Sequence, residues 1–285
     1  MSDKAAEHSD SVSSLNFAAT LASKLYDDAI KTASNSPGLE SQGVGLSAAM
    51  TAKAGFLDRQ GKTVDAGKLY DSAIETASNA PGMLSVGVGL PAAMAAKAGF
   101  LERHGQSTEA AQLYNRAIVA ADNAPGFGGR GIGLPVALTA LAGFLERQGK
   151  QSEAAMFYNR AIVIASNASG IGVRGIGLPT TMAAKAGFLE RQGKPLEAAK
   201  LYNSAVLVAR DASGMDARGI GLPAAMDAKA GFLERQGQKT DAAKLYDDAI
   251  FVANNAPGML SRGIGAPVAM TEKAAFLERQ RAQQN

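Results

Sequence analysis

Apolar positions recur along the chain with helical spacing. Met94, Ala98 and Leu101 fall at i, i+4 and i+7 with Phe100 beside them, which marks one face of a helix. Pro91 sits just inside its start, where a missing N–H costs nothing, and Gly105 follows Arg103 at its end, as expected for a helix C-terminus. A second stretch places Ala110, Leu113, Tyr114, Ala117, Ile118 and Ala121 on one face, with Glu109 in the first turn to complement the helix dipole. Only a few residues separate the two stretches, so they are predicted to pair as an antiparallel hairpin.

This pattern returns without insertion. Gly55-Phe56-Leu57 recurs at Gly99, Gly143, Gly187 and Gly231, and as Ala275-Phe276-Leu277, at steps of 44 residues. The six tyrosines, Tyr26, Tyr70, Tyr114, Tyr158, Tyr202 and Tyr246, keep the same interval. Neither helix of the unit has enough apolar surface to be stable alone, and stacking buries a continuous core. The predicted fold is therefore an all-α solenoid of six 44-residue hairpin equivalents, about twelve antiparallel helices. Residues 1–14 read as a polar tail and 15–283 as a single repeat domain. The array is cut out of phase: its first element, Leu15 to Ala33, is a second-type helix, and its last, Pro267 to Arg281, is a first-type helix. Three outcomes follow: an open solenoid with its end faces serving as caps, subunits stacked head to tail, or closure within one chain into a twelve-helix toroid.

The string Ala66-Gly-Lys-Leu-Tyr70-Asp-Ser-Ala73-Ile74, with Ala54 at a small position of the preceding helix, resembles the tetratricopeptide (TPR) repeat. The same pattern surrounds Tyr114, Tyr158, Tyr202 and Tyr246, and the long period is most similar to the kinesin-light-chain style of that repeat. The resemblance covers roughly residues 15 to 283. It implies a right-handed superhelix whose first-type helices line a concave, peptide-binding face. Two departures stand out. Met50, Met94, Leu138, Met182, Met226 and Met270 replace the family's usual tryptophan or leucine, and Lys53, Lys97, Lys185, Lys229 and Lys273 stand where it buries leucine, with only Leu141 following its rule.

Composition removes several function classes. Hydrophobic residues make up 46% of the chain, so it is not disordered, and the absence of cysteine rules out disulfide scaffolds and thiolate metal sites. The formal charge of +3 is too small to suggest a nucleic-acid surface, and few aromatics are left for base stacking. No secretory signal or membrane-length apolar run is evident, so a cytoplasmic location is expected. No cofactor, metal or enzymatic activity is expected either. His8 and His104 have no metal-ligand spacing, and Gly126-Phe127-Gly128-Gly129-Arg130-Gly131 follows a helix where a dinucleotide fingerprint needs a strand.

Two ladders carry the candidate chemistry. Glu102-Arg103, Glu146-Arg147, Glu190-Arg191 and Glu234-Arg235 fall, by the resemblance, on the concave face, beside the varying positions Thr51, Ala95, Thr139, Ala183, Asp227 and Thr271. They are either a peptide-binding groove or a solvated face of inter-repeat ion pairs. The mid-helix glycines of the Gly-Phe-Leu motif either floor that groove or serve close packing. In the linkers, Arg130, Arg174, Arg218 and Arg262 stand among glycines at the threshold of the next helix. There they either accept anions or an acidic polymer, or satisfy carbonyls at the end of the preceding helix. The expected function is a non-catalytic scaffold whose partner is a protein or peptide, including another copy of the chain.

Overall fold

Among the described residues, twelve helices of 13 residues or more form from the repeated unit, alternating between two kinds. The computed structural model describes residues 20–36, 41–169, 173–214, 217–257 and 261–283. The 1–14 tail lies outside them. First-type helices are α2 (Ser47–Arg59), α4 (Leu90–Arg103), α6 (Leu134–Arg147), α8 (Val173–Arg191), α10 (Leu222–Arg235) and α12 (Ala266–Ala282). Second-type helices are α1 (20–35), α3 (Thr63–Asn79), α5 (Ser107–Asn123), α7 (Gln151–Ser166), α9 (Pro195–Asp211) and α11 (Lys239–Asn255). There is no strand among the described residues.

Each hairpin turn is a Schellman motif. Gly105, at φ 79°, donates its N–H to the Glu102 carbonyl, and the Gln106 N–H reaches back to Leu101 at 2.9 Å. Lys62, Lys150, Lys194 and Gln238 repeat the second bond in their own turns. Left-handed backbone favours glycine, so the break between helices is written into the sequence.

The hairpin core is built from alanine around one tyrosine. In α5, Ala110, Ala117 and Ala121 are fully buried and Tyr114 is 3% exposed, and every second-type helix has the same set. Each tyrosine packs on the phenylalanine of the next first-type helix at ring-centroid distances of 5.0–5.3 Å, from Tyr26–Phe56 to Tyr246–Phe276. Small residues let the helix pairs approach, and the aromatic pair fills the remaining space between repeats.

The two ends of the chain meet. Ala22 and Tyr26 of α1 cluster with Ala274 of α12 and Phe56 of α2. The clusters of complete repeats have the same form: Ala66 and Tyr70 sit between Ala54 and Phe100, and Ala242 and Tyr246 between Ala230 and Phe276. Helix α1 is thus the hairpin partner that α12 lacks, and the sixth hairpin is assembled from both ends of the chain. First-type helices touch one another in sequence from α2 to α12, and α12 touches α2. The solenoid closes after one turn, with six first-type helices as an inner ring and the second-type helices outside. Because the sixth unit meets the first, the superhelix has no net rise.

Closure rests on glycine pairs at the N-terminal end of each inner helix, just before it or, in α8, within its first turns. Built on Gly45, Gly89, Gly133, Gly177, Gly221 and Gly265, a Cβ would lie 2.8–3.2 Å from the carbonyl carbon of Gly263, Gly43, Gly87, Gly131, Gly175 and Gly219 respectively. The relation is always one repeat back, and Gly45 carries it across the junction to Gly263. The carbonyls are available because proline follows four residues later. Pro91 cannot donate to Gly87, and Pro135 cannot donate to Gly131. Most of these segments widen into π-helical turns, at Ser41–Leu46, Ser85–Gly89, Gly129–Gly133, Ala217–Gly221 and Ser261–Gly265. In the first repeat Ser47 replaces proline, and its hydroxyl donates to the same carbonyl, that of Gly43, at 2.5 Å.

Candidate functional site

The inner helices approach closely at this glycine belt, and at their C-terminal ends a layer of charge joins them. Arg147 holds Glu102 of the preceding repeat with two bonds, Nε to Oε1 at 2.9 Å and Nη2 to Oε2 at 2.7 Å. Arg191–Glu146, Arg235–Glu190 and Arg279–Glu234 repeat the arrangement, and Arg59–Glu278 closes it across the chain junction at 2.9 and 2.7 Å. In the remaining junction Asp58 stands in place of glutamate. Its shorter arm takes Arg103 at 3.1 Å and the His104 ring at 2.8 Å, while His104 packs tilted against Phe100, with ring centroids 4.6 Å apart. His104 therefore does what Gln236 and Gln280 do in their repeats, donating to the acid one repeat back.

This layer is partly buried. Glu102, Glu146, Glu190 and Glu234 are 5–14% exposed at the side chain and their arginines 45–57%. Hydrogen bonding to Glu102 and Glu146 raises the Arg147 and Arg191 pKa above the usual guanidinium range, against the opposing effect of burial. Burial pushes the Tyr158 hydroxyl up to about 12, helped by the neighbouring Glu146 charge, and that hydroxyl donates to Glu146 at 3.3 Å. For Asp58, the bonds from His104 and Arg103 outweigh burial, which acts the other way, and hold its carboxyl below the usual range.

The mid-helix glycines belong to the same layer. A Cβ on Gly55, Gly99, Gly143, Gly187 or Gly231 would meet a tyrosine hydroxyl at 3.3–3.5 Å and an arginine Nη1 at 3.2–3.7 Å. Glycine leaves room there for the polar heads. Gly143 and Gly187 also face an open cavity of about 850 Å3 together with Thr139, Ala183 and the Arg147 and Arg191 pairs. A second inner cavity, of about 520 Å3, is lined by Asp227, Gly231, Glu234, Arg235, Glu272 and Arg279. Of the ladder residues, Thr139, Glu146, Arg147, Glu190, Arg191, Asp227, Glu234 and Arg235 line these two cavities, and Glu102 and Arg103 do not.

The linker arginines do not join this arrangement. Arg130 is exposed and lies against Asp122, with Nε 3.5 Å from its carbonyl oxygen and 3.7 Å from Oδ1. Arg174 is exposed beside a separate cavity with Asp211, Arg218 is exposed, and the Arg262 side chain lies outside the described residues. The glycines around them are used in backbone packing between repeats. Lys53, Lys97 and Lys273 lie between helices and pair with Asp27, Asp71 and Asp247. One inner residue escaped the sequence reading: Glu272 stands where the other repeats have Ala52, Ala96, Ala140, Ala184 and Ala228. Writing the inner face repeat by repeat would have exposed it.

Antiparallel hairpins with an Ala–Tyr–Ala core, stacked so that one helix type lines the inside, settle the class. The unit is a TPR-like helical repeat. No protein-family model matches the sequence, and no curated protein matches it. Among solved structures, the chain is similar to a protein of Podosopora anserina described as a kinesin light chain with nearly identical TPR-like repeats. The identity is 16%, the TM-score 0.37, and the alignment covers 70% of this chain and 90% of that one. It is also similar to BtubC (BKLC) from P. vanneervenii at 14% identity and TM-score 0.42, covering 86% of this chain and 94% of that one. Among the described residues no helix is long and apolar enough to cross a membrane, and no group of three or more histidine, aspartate or glutamate side chains is gathered to hold a metal.

Proposed function

We propose that the ring is a non-catalytic scaffold that receives a protein or peptide segment on its inner face. One observation carries this reading. Position 51 and its equivalents, Thr51, Ala95, Thr139, Ala183, Asp227 and Thr271, vary among otherwise repeated neighbours, and Thr139, Ala183 and Asp227 line the two inner cavities. A lining with a fixed framework and varied contact positions suits recognition of an extended segment through contacts spread over several repeats. The Glu–Arg layer acts mainly as the frame of the cavity, since each arginine already holds a carboxylate. Head-to-tail assembly gains no support, because α1 and α12 use their unmatched faces on each other.

Selection of binders from a displayed peptide library, followed by affinity measurement on Thr139→Arg and Ala183→Arg variants, tests the proposal. Both substitutions place a long charged side chain in the cavity from positions on its wall. Binding should fall by about tenfold or more with the thermal midpoint unchanged. Unaltered affinity in both variants would place the binding surface elsewhere.

A further inference from the structure

The outside of the ring departs from repetition at two neighbouring helices. In three repeats a lysine of an inner helix meets an aspartate 26 residues earlier, on an outer helix: Lys53–Asp27, Lys97–Asp71 and Lys273–Asp247. These pairs are open to water, since the aspartate side chains are 56–67% exposed. In the repeat of α5 the aspartate becomes Asn115 and the lysine becomes the buried Leu141, so acid and cation are lost together. On α7 and α9 only the acid is lost. Asn159 and Asn203 replace it, while Lys185 and Lys229 remain, partly buried and without an ion pair among the described residues. Asparagine carries no charge to offset the ammonium.

Nothing else on these two helices neutralises the lysines. Arg160 of α7 and Lys200 of α9 are exposed and also lack an ion pair among the described residues. The acids of the two helices, Glu153, Glu197 and Asp211, are held by Lys150, Lys194 and Arg210. Each of the other outer helices keeps an acid outside any such pair, among them Asp28, Glu75, Glu109 and Asp248. The same two helices carry exposed apolar side chains, Met156 and Val163 on α7 and Leu196 and Leu207 on α9. Helical spacing sets them in line with the cations: Met156, Arg160 and Val163 fall at i, i+4 and i+7, and Leu196, Lys200 and Leu207 share one face of α9. Where α7 and α9 have Val163 and Leu207, α1 and α3 have Lys31 and Glu75.

We propose that α7 and α9 form a docking surface on the outside of the ring for an acidic amphipathic helix of a partner protein. This goes beyond the inner-face reading and does not depend on it. Four cations without a carboxylate call for acids on the partner, and the two apolar stripes call for an apolar face beside those acids. Helix α8 packs on both α7 and α9 and carries Lys185. The stripe from Leu196 to Leu207 is about 16 Å long, three turns of helix, which a partner helix of similar length covers. A nucleic-acid backbone has no apolar side to set on the stripes. A flat bilayer reaches exposed side chains but not Lys185 and Lys229, which are partly buried.

Fluorescence anisotropy with the full chain tests the surface. The probe is a labelled peptide of two head-to-tail copies of Glu-Leu-Leu-Glu-Ala-Leu-Glu, whose leucines recur with helical spacing. It should bind once per chain, and the same peptide with glutamine for glutamate should bind about tenfold or more weakly. Asn159→Asp combined with Asn203→Asp gives Lys185 and Lys229 the partner that sister repeats already have. Affinity should then fall about tenfold or more while the thermal midpoint holds or rises. Val163→Glu with Leu207→Glu, the residue that α3 carries as Glu75, should weaken binding likewise. The proposal is overturned if the probe binds no more tightly than about 1 mM, if the aspartate pair leaves affinity unchanged, or if the glutamine peptide binds equally well. Phosphatidylserine vesicles or poly(U) RNA that bind more tightly than the peptide, and lose binding in the same variants, would also overturn it. Thr139→Arg on the inner face should leave capture of the probe intact. If that change abolishes capture and the aspartate pair does not, the outer surface falls and the inner-face reading stands.

Discussion

At the glycine end of the ring, neighbouring repeats touch through backbone; at the other end they touch through long charged side chains. Both contacts occur six times and both cross the junction between the chain's ends, yet they tolerate change very differently. Backbone cannot retreat without moving a whole helix, whereas an arginine has several rotatable bonds and water nearby. The glycine belt fixes how closely the helices approach at one end, and the Glu–Arg layer links them at the other.

The largest expected effect lies in the belt. Gly133→Val places a Cβ 2.8 Å from the Gly87 carbonyl carbon, with its oxygen closer still. No rotamer relieves a collision at Cβ, so the helix must shift and the ring open. A loss of about 4 kcal/mol or more is expected, or failure to fold, read by chemical denaturation and by solution mass. A Gly133→Val protein of wild-type stability would show that the belt is not the closing contact.

Arg147→Ala comes next. It leaves Glu102, 11% exposed, without its two charge-assisted bonds, which should cost about 1–2 kcal/mol. The arginine itself is half exposed, so solvent screens the pair and keeps the cost well below that in the belt. Arg59→Ala sharpens the comparison, because its partner Glu278 belongs to the hairpin formed by α12 and α1, which no turn holds together. The loss there should exceed that for Arg147→Ala, and equal losses would mean that the junction is no weaker than the covalent repeats.

A third change acts through charge alone. The Asp227 carboxyl has a raised pKa in the folded ring, so the folded state binds more protons than the unfolded chain across the window between the two values. Stability contributed by this group therefore falls as pH rises through that window. Asp227→Thr should stabilise the ring at pH 7 and lose its advantage as pH falls below the ordinary carboxylate range. Thermal midpoints of both proteins across pH check the sign; a variant less stable at neutral pH contradicts the unpaired geometry.

Helices, hairpin turns and the alanine–tyrosine core were legible because each is local: 3.6-residue periodicity, a glycine after the last turn and a 44-residue interval are all visible in a linear string. Closure was not, because it is the sum of roughly 60° of rotation at each of six junctions, and no single junction encodes that sum. The Glu–Arg ladder was found, but its partners sit 45 residues apart in the neighbouring repeat, so an ion-pair frame and a groove could not be told apart by spacing. The paired glycines were seen as loop residues because the proline that frees their carbonyls also looks like the start of a helix.

The smallest effect is predicted for a glycine at the charged end. Gly99 lies in the middle of α4 with ordinary helical neighbours, and a Cβ there would sit 3.4 Å from the Tyr114 hydroxyl and 3.7 Å from Arg103 Nη1. Both atoms end flexible or tilting side chains that can give by a few tenths of an ångström. The sixth repeat already carries a methyl at this place, in Ala275. Alanine favours helix over glycine by about 1 kcal/mol, so Gly99→Ala should stabilise the ring by about 0.5–1 kcal/mol after the tyrosine hydroxyl adjusts. The same substitution at Gly133 puts a methyl against a carbonyl and should destabilise. Opposite signs for one chemical change at two glycines of the ring, measured by denaturant midpoint, would separate a rigid backbone contact from a yielding side-chain one. Equal signs would mean that the two ends are packed alike.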